Sequence, residues 1–151
     1  MDDFSRVTWT FLLKSKTQVP QTLINFILQI QTQFSKPVKQ VRTDNGTEFL
    51  NSQCQTFFAA HGIIHQTSCV YTPQQNGVVE RKHKHLLQTA RSLLFQSHLP
   101  TTFWGESILT ATYLINRMPT PILNWKTPFE ILHNKSPDYT RLRVWQFMFY
   151  Y

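Results

Sequence analysis

Cysteine is scarce in this 151-residue sequence, which contains Cys54 and Cys69 and no others. Two cysteines give no sign of the disulfide frameworks that small secreted domains use. No basic N-terminal segment with an apolar core comes before the first predicted strand, so nothing in the sequence points to secretion. We therefore expect a reduced, intracellular environment.

Long apolar runs are also absent. No run approaches the roughly 20 apolar residues that a membrane-spanning helix needs. The sequence has no internal repeat and no low-complexity tract. A hydrophobic content of 41% is slightly lean, yet 151 residues can bury a core of their own. One domain, or a piece of one, is expected.

Acidic residues are few. The 8 Asp and Glu stand against 15 Lys and Arg, which gives a formal net charge of +7 and a pI near 9.7. This excess of positive charge suits a polyanionic partner, and nucleic acid is the leading candidate. Charge alone supports simple solubility equally well, so the motifs must decide between the two.

One carboxylate follows a loop that runs directly into a helix. The residues from Tyr71 to Gly77 include Pro, Gln, Asn and Gly, which favour turns, whereas helical spacing begins after Glu80. On an ordinary surface helix Glu80 would form an ion pair with Lys84 worth about 0.3–0.5 kcal/mol. A catalytic, metal-ligating role for Glu80 is the alternative, and the motifs that surround it decide between the two.

A second carboxylate stands at the predicted tip of a strand. The run from Val38 to Thr43, with Val38 and Val41 as its apolar residues, is predicted to be a strand that ends at Asp44, which a turn follows. Thirty-five residues separate Asp44 from Glu80. This spacing and its flanking residues carry a resemblance.

The chain resembles the catalytic core of retroviral and retrotransposon integrases, and within them the copia-type branch, as a piece of a Pol polyprotein. The matching motifs occur in order along nearly the whole chain. They are Thr43-Asp44-Asn45-Gly46-Thr47-Glu48-Phe49, Asn76-Gly77-Val78-Val79-Glu80-Arg81, Phe103-Trp104-Gly105-Glu106, Thr110-Ala111-Thr112-Tyr113-Leu114-Ile115-Asn116-Arg117 and Leu142-Arg143-Val144.

The resemblance implies a ribonuclease-H-like α/β fold of three layers, α/β/α. It also implies that Asp44 and Glu80 are catalytic and bind Mg²⁺ or Mn²⁺, as hard oxygen ligands do. The side chains and backbone expected to contact DNA are Tyr71, Gln74, Asn76, Gly77, Arg81, Lys82, Lys84 and Arg91. Lys84 is the strongest single candidate among the basic residues.

The same resemblance implies a polynucleotidyl transferase with element ends and target DNA as partners, assembled as a homo-oligomer in the nucleus. The family has an earlier catalytic Asp on its first, central strand, and this chain starts after that position. We therefore expect a truncated core at residues 1–137, followed by the start of a post-core region at 138–151, and no activity from the fragment alone. Two alternatives are a DNA-binding remnant without catalysis and a structural fragment that associates with full-length integrase.

Hydrophobic periodicity predicts the remaining elements. Strands are expected at 7–13, 38–43 and 63–70. Helices are expected at 18–34, at 53–61 with Gly62 as its terminator, at 78–97 and at 103–118, followed by a less regular tail. The helix at 78–97 is expected to turn Val79, His83, Leu86, Ala90, Leu93 and Leu94 inward.

Other potential ligands are assigned structural roles. Asp2 and Asp3 resemble part of a family hairpin, and Glu48 receives at most a secondary role on the substrate side. A zinc set of Cys54, His61, His65 and Cys69 is chemically suitable. We reject it, because a helix and a strand would have to bring four ligands together across the core.

Overall fold

The computed structural model describes residues 1–68, 77–140 and 142. The chain divides into two compact units, which we name the strand unit (Phe11–Val78) and the helical unit (Met1–Thr10 with Val79–Tyr151). The described residues form five α-helices and two β-strands. In chain order these are α1 (Val19–Phe34), β1 (Gln40–Thr43), α2 (Ser52–Ala60), β2 (Ile64–Thr67), α3 (Gly77–Gln96), α4 (Trp104–Ile115) and α5 (Pro128–His133).

The strand unit contains one parallel pair of strands. Gln40 of β1 lies opposite Ile64 of β2, and Thr43 lies opposite Thr67. Parallel neighbours need a crossover connection, which helix α2 supplies here. The predicted strands at 38–43 and 63–70 are therefore confirmed with shorter bounds, and positions 69 and 70 lie outside the described residues.

Local signals determine where the helices of this unit begin and end. Pro20 stands in the first turn of α1, where its missing N–H costs nothing. Asn51 caps α2 by accepting a hydrogen bond from the backbone N–H of Cys54 at 2.9 Å. Gly62 follows α2 with a φ of +62°, a conformation that glycine adopts without steric cost. Both helices confirm the sequence-based predictions to within two residues.

The core of the strand unit lies between its two helices and its strands. Its buried members are Ile27 of α1, Cys54 and Phe58 of α2, and Ile63 just before β2. Burial raises the pKa of the Cys54 thiol. This packing fixes α2 and β2 against each other and thereby sets the end of β1.

Helices α3 and α4 form the core of the helical unit. Their buried contacts come from Leu86, Ala90, Ile108, Ala111 and Ile115. The predicted helices at 78–97 and 103–118 are thus confirmed, although the second helix is shorter at its C-terminal end. No helix in the described ranges is both long and apolar enough to span a membrane.

Helix α5 lies in the tail that was expected to be irregular. Thr127 accepts from the Glu130 N–H at 3.0 Å, and the Glu130 carboxylate accepts from the Thr127 N–H at 2.7 Å. This reciprocal capping box, with Pro128 at the first helical turn, was readable in the sequence. The Arg117 guanidinium lies 3.5 Å from the ring centroid of Tyr113 and 4.8 Å from that of Phe129, which joins α4 to α5.

The predicted strand at 7–13 is wrong, because the structure assigns no strand there. The turn that precedes it does form, since the Asp2 N–H donates to the Val7 carbonyl at 2.9 Å. Thr8 then bonds to a side chain instead of a strand. Its N–H donates to Asn116 Oδ1 at 2.9 Å, and its carbonyl accepts from Asn116 Nδ2 at 2.8 Å.

The Asn116 carboxamide predicts a measurable contribution to the stability of the helical unit. Asn116→Leu keeps the branching of the side chain and leaves both backbone groups of Thr8 without this partner, so we expect a loss of about 1–3 kcal/mol in the free energy of unfolding. Urea unfolding followed by tryptophan fluorescence measures it, because Trp9, Trp104 and Trp125 belong to this unit.

The matched control is Gln88→Leu. Gln88 lies exposed on α3 of the same unit, and no hydrogen bond of its side chain is among the contacts described. A loss for Asn116→Leu no larger than that of the control would contradict the assigned role of Asn116.

Candidate active site

Asp44 stands directly after β1, with its side chain exposed. Its Oδ1 accepts a hydrogen bond from the Gly46 N–H at 3.1 Å, which closes a tight turn. Asn45 Nδ2 donates to the Ser68 carbonyl at 2.8 Å and ties this turn to the end of β2. The sequence-based prediction of a carboxylate at a strand tip is confirmed for Asp44.

Glu48 and Asp44 both approach Gly46. A Cβ added at Gly46 would come within 2.9 Å of Glu48 Oε2 and 3.0 Å of Asp44 Oδ1, so the two carboxylates flank this glycine. Glu48 also forms an ion pair with Lys16 at 3.5 Å. The hydrogen bond from its own backbone N–H, and then Lys16, lower the pKa of Glu48 against an opposing effect of burial.

Glu80 occupies the first turn of α3 and is exposed. No ion pair within 4.0 Å joins it to Lys84, so the ordinary surface pair considered above does not form. Gly77 is the first residue of α3. The inward placement of Val79 and His83 is wrong, because both are exposed and the buried stripe of α3 begins at Leu86. Residues 77–85 of α3 thus contribute no buried apolar side chain.

The basic residues of α3 differ in their environment. Arg81, Lys84 and Arg91 are exposed. Lys82 is half-buried, and this burial together with the charge of Arg6 lowers its pKa. The role of Lys82 as a phosphate contact stays a prediction.

The predicted site residues fall into two separate parts of the chain. Asp44 belongs to the strand unit and Glu80 to the helical unit. A shared cation site therefore stays a prediction. In the described ranges, no group of three or more His, Cys, Asp or Glu side chains could hold a metal. The predicted DNA contacts Tyr71, Gln74 and Asn76 lie outside the described residues.

The potential zinc ligands have other surroundings where they can be described. The Cys54 side chain is fully buried in the core. A ring nitrogen of His61 lies 2.9 Å from the Phe57 carbonyl, and the ring nitrogen Nε2 of His65 lies 2.9 Å from the Thr43 hydroxyl. Cys69 lies outside the described residues.

Comparison with known proteins decides the family. The model of the integrase core domain matches residues 1–73. Over 144 residues the chain is 42% identical to the Retrovirus-related Pol polyprotein from transposon RE1 of Arabidopsis thaliana, a match that covers 95% of the chain. The chain belongs to the integrase core family. This integrase core spans only 10% of the length of the RE1 polyprotein.

Solved structures agree with this assignment. The catalytic core domain of HTLV-2 integrase, in complex with magnesium, is 26% identical with a TM-score of 0.64, covering 86% of this chain and 79% of that one. The simian T-cell lymphotropic virus intasome, bound to a PP2A regulatory subunit, is 22% identical with a TM-score of 0.70, covering 93% and 50%. The predicted ribonuclease-H-like fold of integrase cores is confirmed, with a two-stranded sheet among the described residues.

The lowered pKa of Glu48 predicts a pH dependence for the strand unit of this integrase core. Ionised Glu48 favours the folded state above its ordinary pKa of about 4.3, and this contribution is lost as the pH falls through the lowered value of the folded state. In Glu48→Gln we expect a smaller loss of stability between pH 6 and pH 3. Hydrogen exchange of the α2 amides measures it.

Lys16→Gln separates the causes of this shift. Lys16 is one of several contributors, and the Glu48 backbone N–H is the first of them. Removal of Lys16 should therefore reduce the pH dependence less than Glu48→Gln, which removes the titrating group itself. Equal pH dependence in the wild type and Glu48→Gln would contradict the assignment.

Proposed function

We propose that this integrase core serves DNA integration by a copia-type retrotransposon integrase, through metal-dependent nicking of a DNA end and its transfer to target DNA. The observation that carries the proposal is the position of Asp44. An exposed carboxylate follows a parallel strand, within the segment that matches the integrase core domain. Ligands of open α/β sheets bind beyond the carboxyl ends of the strands.

The residues of the chain fit a divalent cation in their chemistry. Asp44 and Glu80 offer exposed carboxylate oxygens, the ligands that Mg²⁺ and Mn²⁺ prefer. Among the contacts described, Asp44 takes one hydrogen bond on Oδ1, which leaves acceptor capacity on the carboxylate. The chemistry that bound cations would supply is activation of an attacking water or 3′-hydroxyl and stabilisation of the leaving oxygen.

Two carboxylates are fewer than the three that the family resemblance implies. We propose that a segment upstream in the polyprotein brings the remaining Asp and the central strand beside β1. The 151-residue chain would then be inactive alone. The catalytic core at 1–137 and the post-core region at 138–151 stay predictions.

The basic face of α3 supports a DNA partner. Arg81, Lys84 and Arg91 are exposed, and the described residues place no carboxylate within 4.0 Å of them. Such unpaired cations are available to phosphates. We propose element ends and target DNA as partners and other integrase subunits as oligomeric partners, with the nucleus as the location of the target. The likeness to an intasome supports an assembly of this kind.

Salt-dependent binding tests the basic face. Lys84→Gln and Arg91→Gln each remove one expected phosphate contact. Each substitution should therefore reduce the magnitude of the slope of log affinity against log salt by about 0.9. Fluorescence anisotropy of a labelled DNA end measures the slopes. Lys36→Gln, in the exposed segment after α1, is the matched control and should keep the wild-type slope. Equal slopes in all variants would remove α3 from the DNA interface.

Activity tests the catalytic assignment. A chain extended by the upstream strand and its Asp should join a labelled DNA end to target DNA with Mg²⁺ or Mn²⁺, whereas the 151-residue chain should not. In the extended chain, Asp44→Asn and Glu80→Gln should abolish strand transfer and spare salt-sensitive DNA binding, because each removes one ligand. Glu106→Gln, exposed in the first turn of α4, is the control.

The outcomes also separate the alternatives. Strand transfer by the 151-residue chain alone would contradict its proposed inactivity. An inactive extended chain that binds DNA would favour the non-catalytic remnant. Co-assembly with full-length integrase without DNA binding or activity would favour the structural fragment.

A further inference from the structure

Thr43 is the last residue of β1 and contacts Asp44 on one side and β2 on the other. Its hydroxyl Oγ1 donates a hydrogen bond to the Asp44 carbonyl at 2.8 Å. The same Oγ1 lies 2.9 Å from Nε2 of His65, a residue of β2. Thr43 thus connects the backbone of Asp44 to a ring on the neighbouring strand.

The direction of these hydrogen bonds follows from counting protons. A threonine hydroxyl has one proton and two acceptor lone pairs, whereas a carbonyl oxygen only accepts. The single proton of Thr43 goes to the Asp44 carbonyl, so the contact with His65 needs a proton on the ring. His65 therefore carries hydrogen on Nε2 and donates to Thr43.

The ring of His65 packs against Phe58 of the core. Its centroid lies 5.0 Å from that of Phe58 at an interplanar angle of 53°. Phe58 is 3% exposed and packs with Ile27, Cys54 and Ile63. The parallel register adds a second restraint, since His65 lies opposite Val41 and Thr67 lies opposite Thr43.

We propose that His65 is a positioning residue for Asp44 and acts through the Thr43 hydroxyl. The chain of contacts runs from the buried ring of Phe58 through His65 and Thr43 to the Asp44 peptide. The Gly46 N–H holds the other end of the residue at Oδ1. Backbone and carboxylate of Asp44 are thereby fixed together, as outer partners fix a metal ligand. Its effect on cation binding rests on the function proposed above.

Two pairs of variants test the connection in the 151-residue chain. His65→Phe keeps a ring against Phe58 and removes the donor, whereas His65→Gln places an amide donor at a similar distance. Thr43→Val removes the hydroxyl, whereas Thr43→Ser keeps a hydroxyl at this position. His65→Phe and Thr43→Val should loosen the position of Asp44, whereas His65→Gln and Thr43→Ser should keep it as in the wild type.

Two measurements on the metal-free chain decide the positioning role. Nitrogen-15 NMR of His65 should show the proton on Nε2, and a ring protonated on Nδ1 alone would overturn the proposal. Amide exchange of Gly46 should accelerate about tenfold in His65→Phe and Thr43→Val, with less than a twofold change at the α2 amides. Unchanged Gly46 exchange, or an equal increase throughout the strand unit, would show a merely structural histidine.

The consequence for cation binding has its own readout. Mn²⁺ should broaden the amide signals of residues 44–46, with affinity about tenfold weaker in His65→Phe and Thr43→Val and restored by Gln and Ser. If Mn²⁺ leaves these signals unchanged in the wild type, the metal role of Asp44 fails while the exchange data still decide the positioning. Equal Mn²⁺ affinity in all variants would overturn the link between His65 and the metal.

Discussion

The parallel pairing of β1 with β2 is the constraint on which the candidate site depends. Each strand has four residues, so the pairing relies on α2 packing behind it through Cys54 and Phe58. Because the strands run in the same direction, Thr43 and Thr67 end side by side. The turn that carries Asp44 can then bond to Ser68, at the end of the neighbouring strand. The carboxylate position is thus a result of core packing several residues away.

The helices could be predicted from sequence because their signals are local. Apolar spacing located α1 to α4, and Gly62 was correctly predicted to terminate α2. Helix α5 carried an equally local signal in Thr127 and Glu130, which the prolines around it obscured. The predicted strand at 7–13 was wrong for a different reason. A strand needs a neighbouring strand, and the composition of a segment does not reveal whether one is present.

The elements that carry Asp44 and Glu80 could be predicted from sequence, whereas the surroundings of these carboxylates could not. Motif spacing identified Asp44 and Glu80, and both stand at the element ends expected for them. The approach of Glu48 to Gly46 and the contact of His65 with Thr43 depend on three-dimensional packing. Helical periodicity also placed Val79 and His83 inward, since it carries no information on where a helix leaves its core.

The hold of Asn116 on Thr8 has a chemical consequence. A carboxamide offers a donor and an acceptor side by side, and Thr8 uses both. Deamidation to aspartate preserves the shape and replaces the donor with a second acceptor, which then faces the Thr8 carbonyl. Deamidation of Asn116 would thereby replace a hydrogen bond to the Thr8 carbonyl with a repulsion between two oxygens, and it would weaken the attachment of the N-terminal segment to the end of α4. The attachment of the N-terminal segment thus depends on the covalent integrity of one side-chain amide.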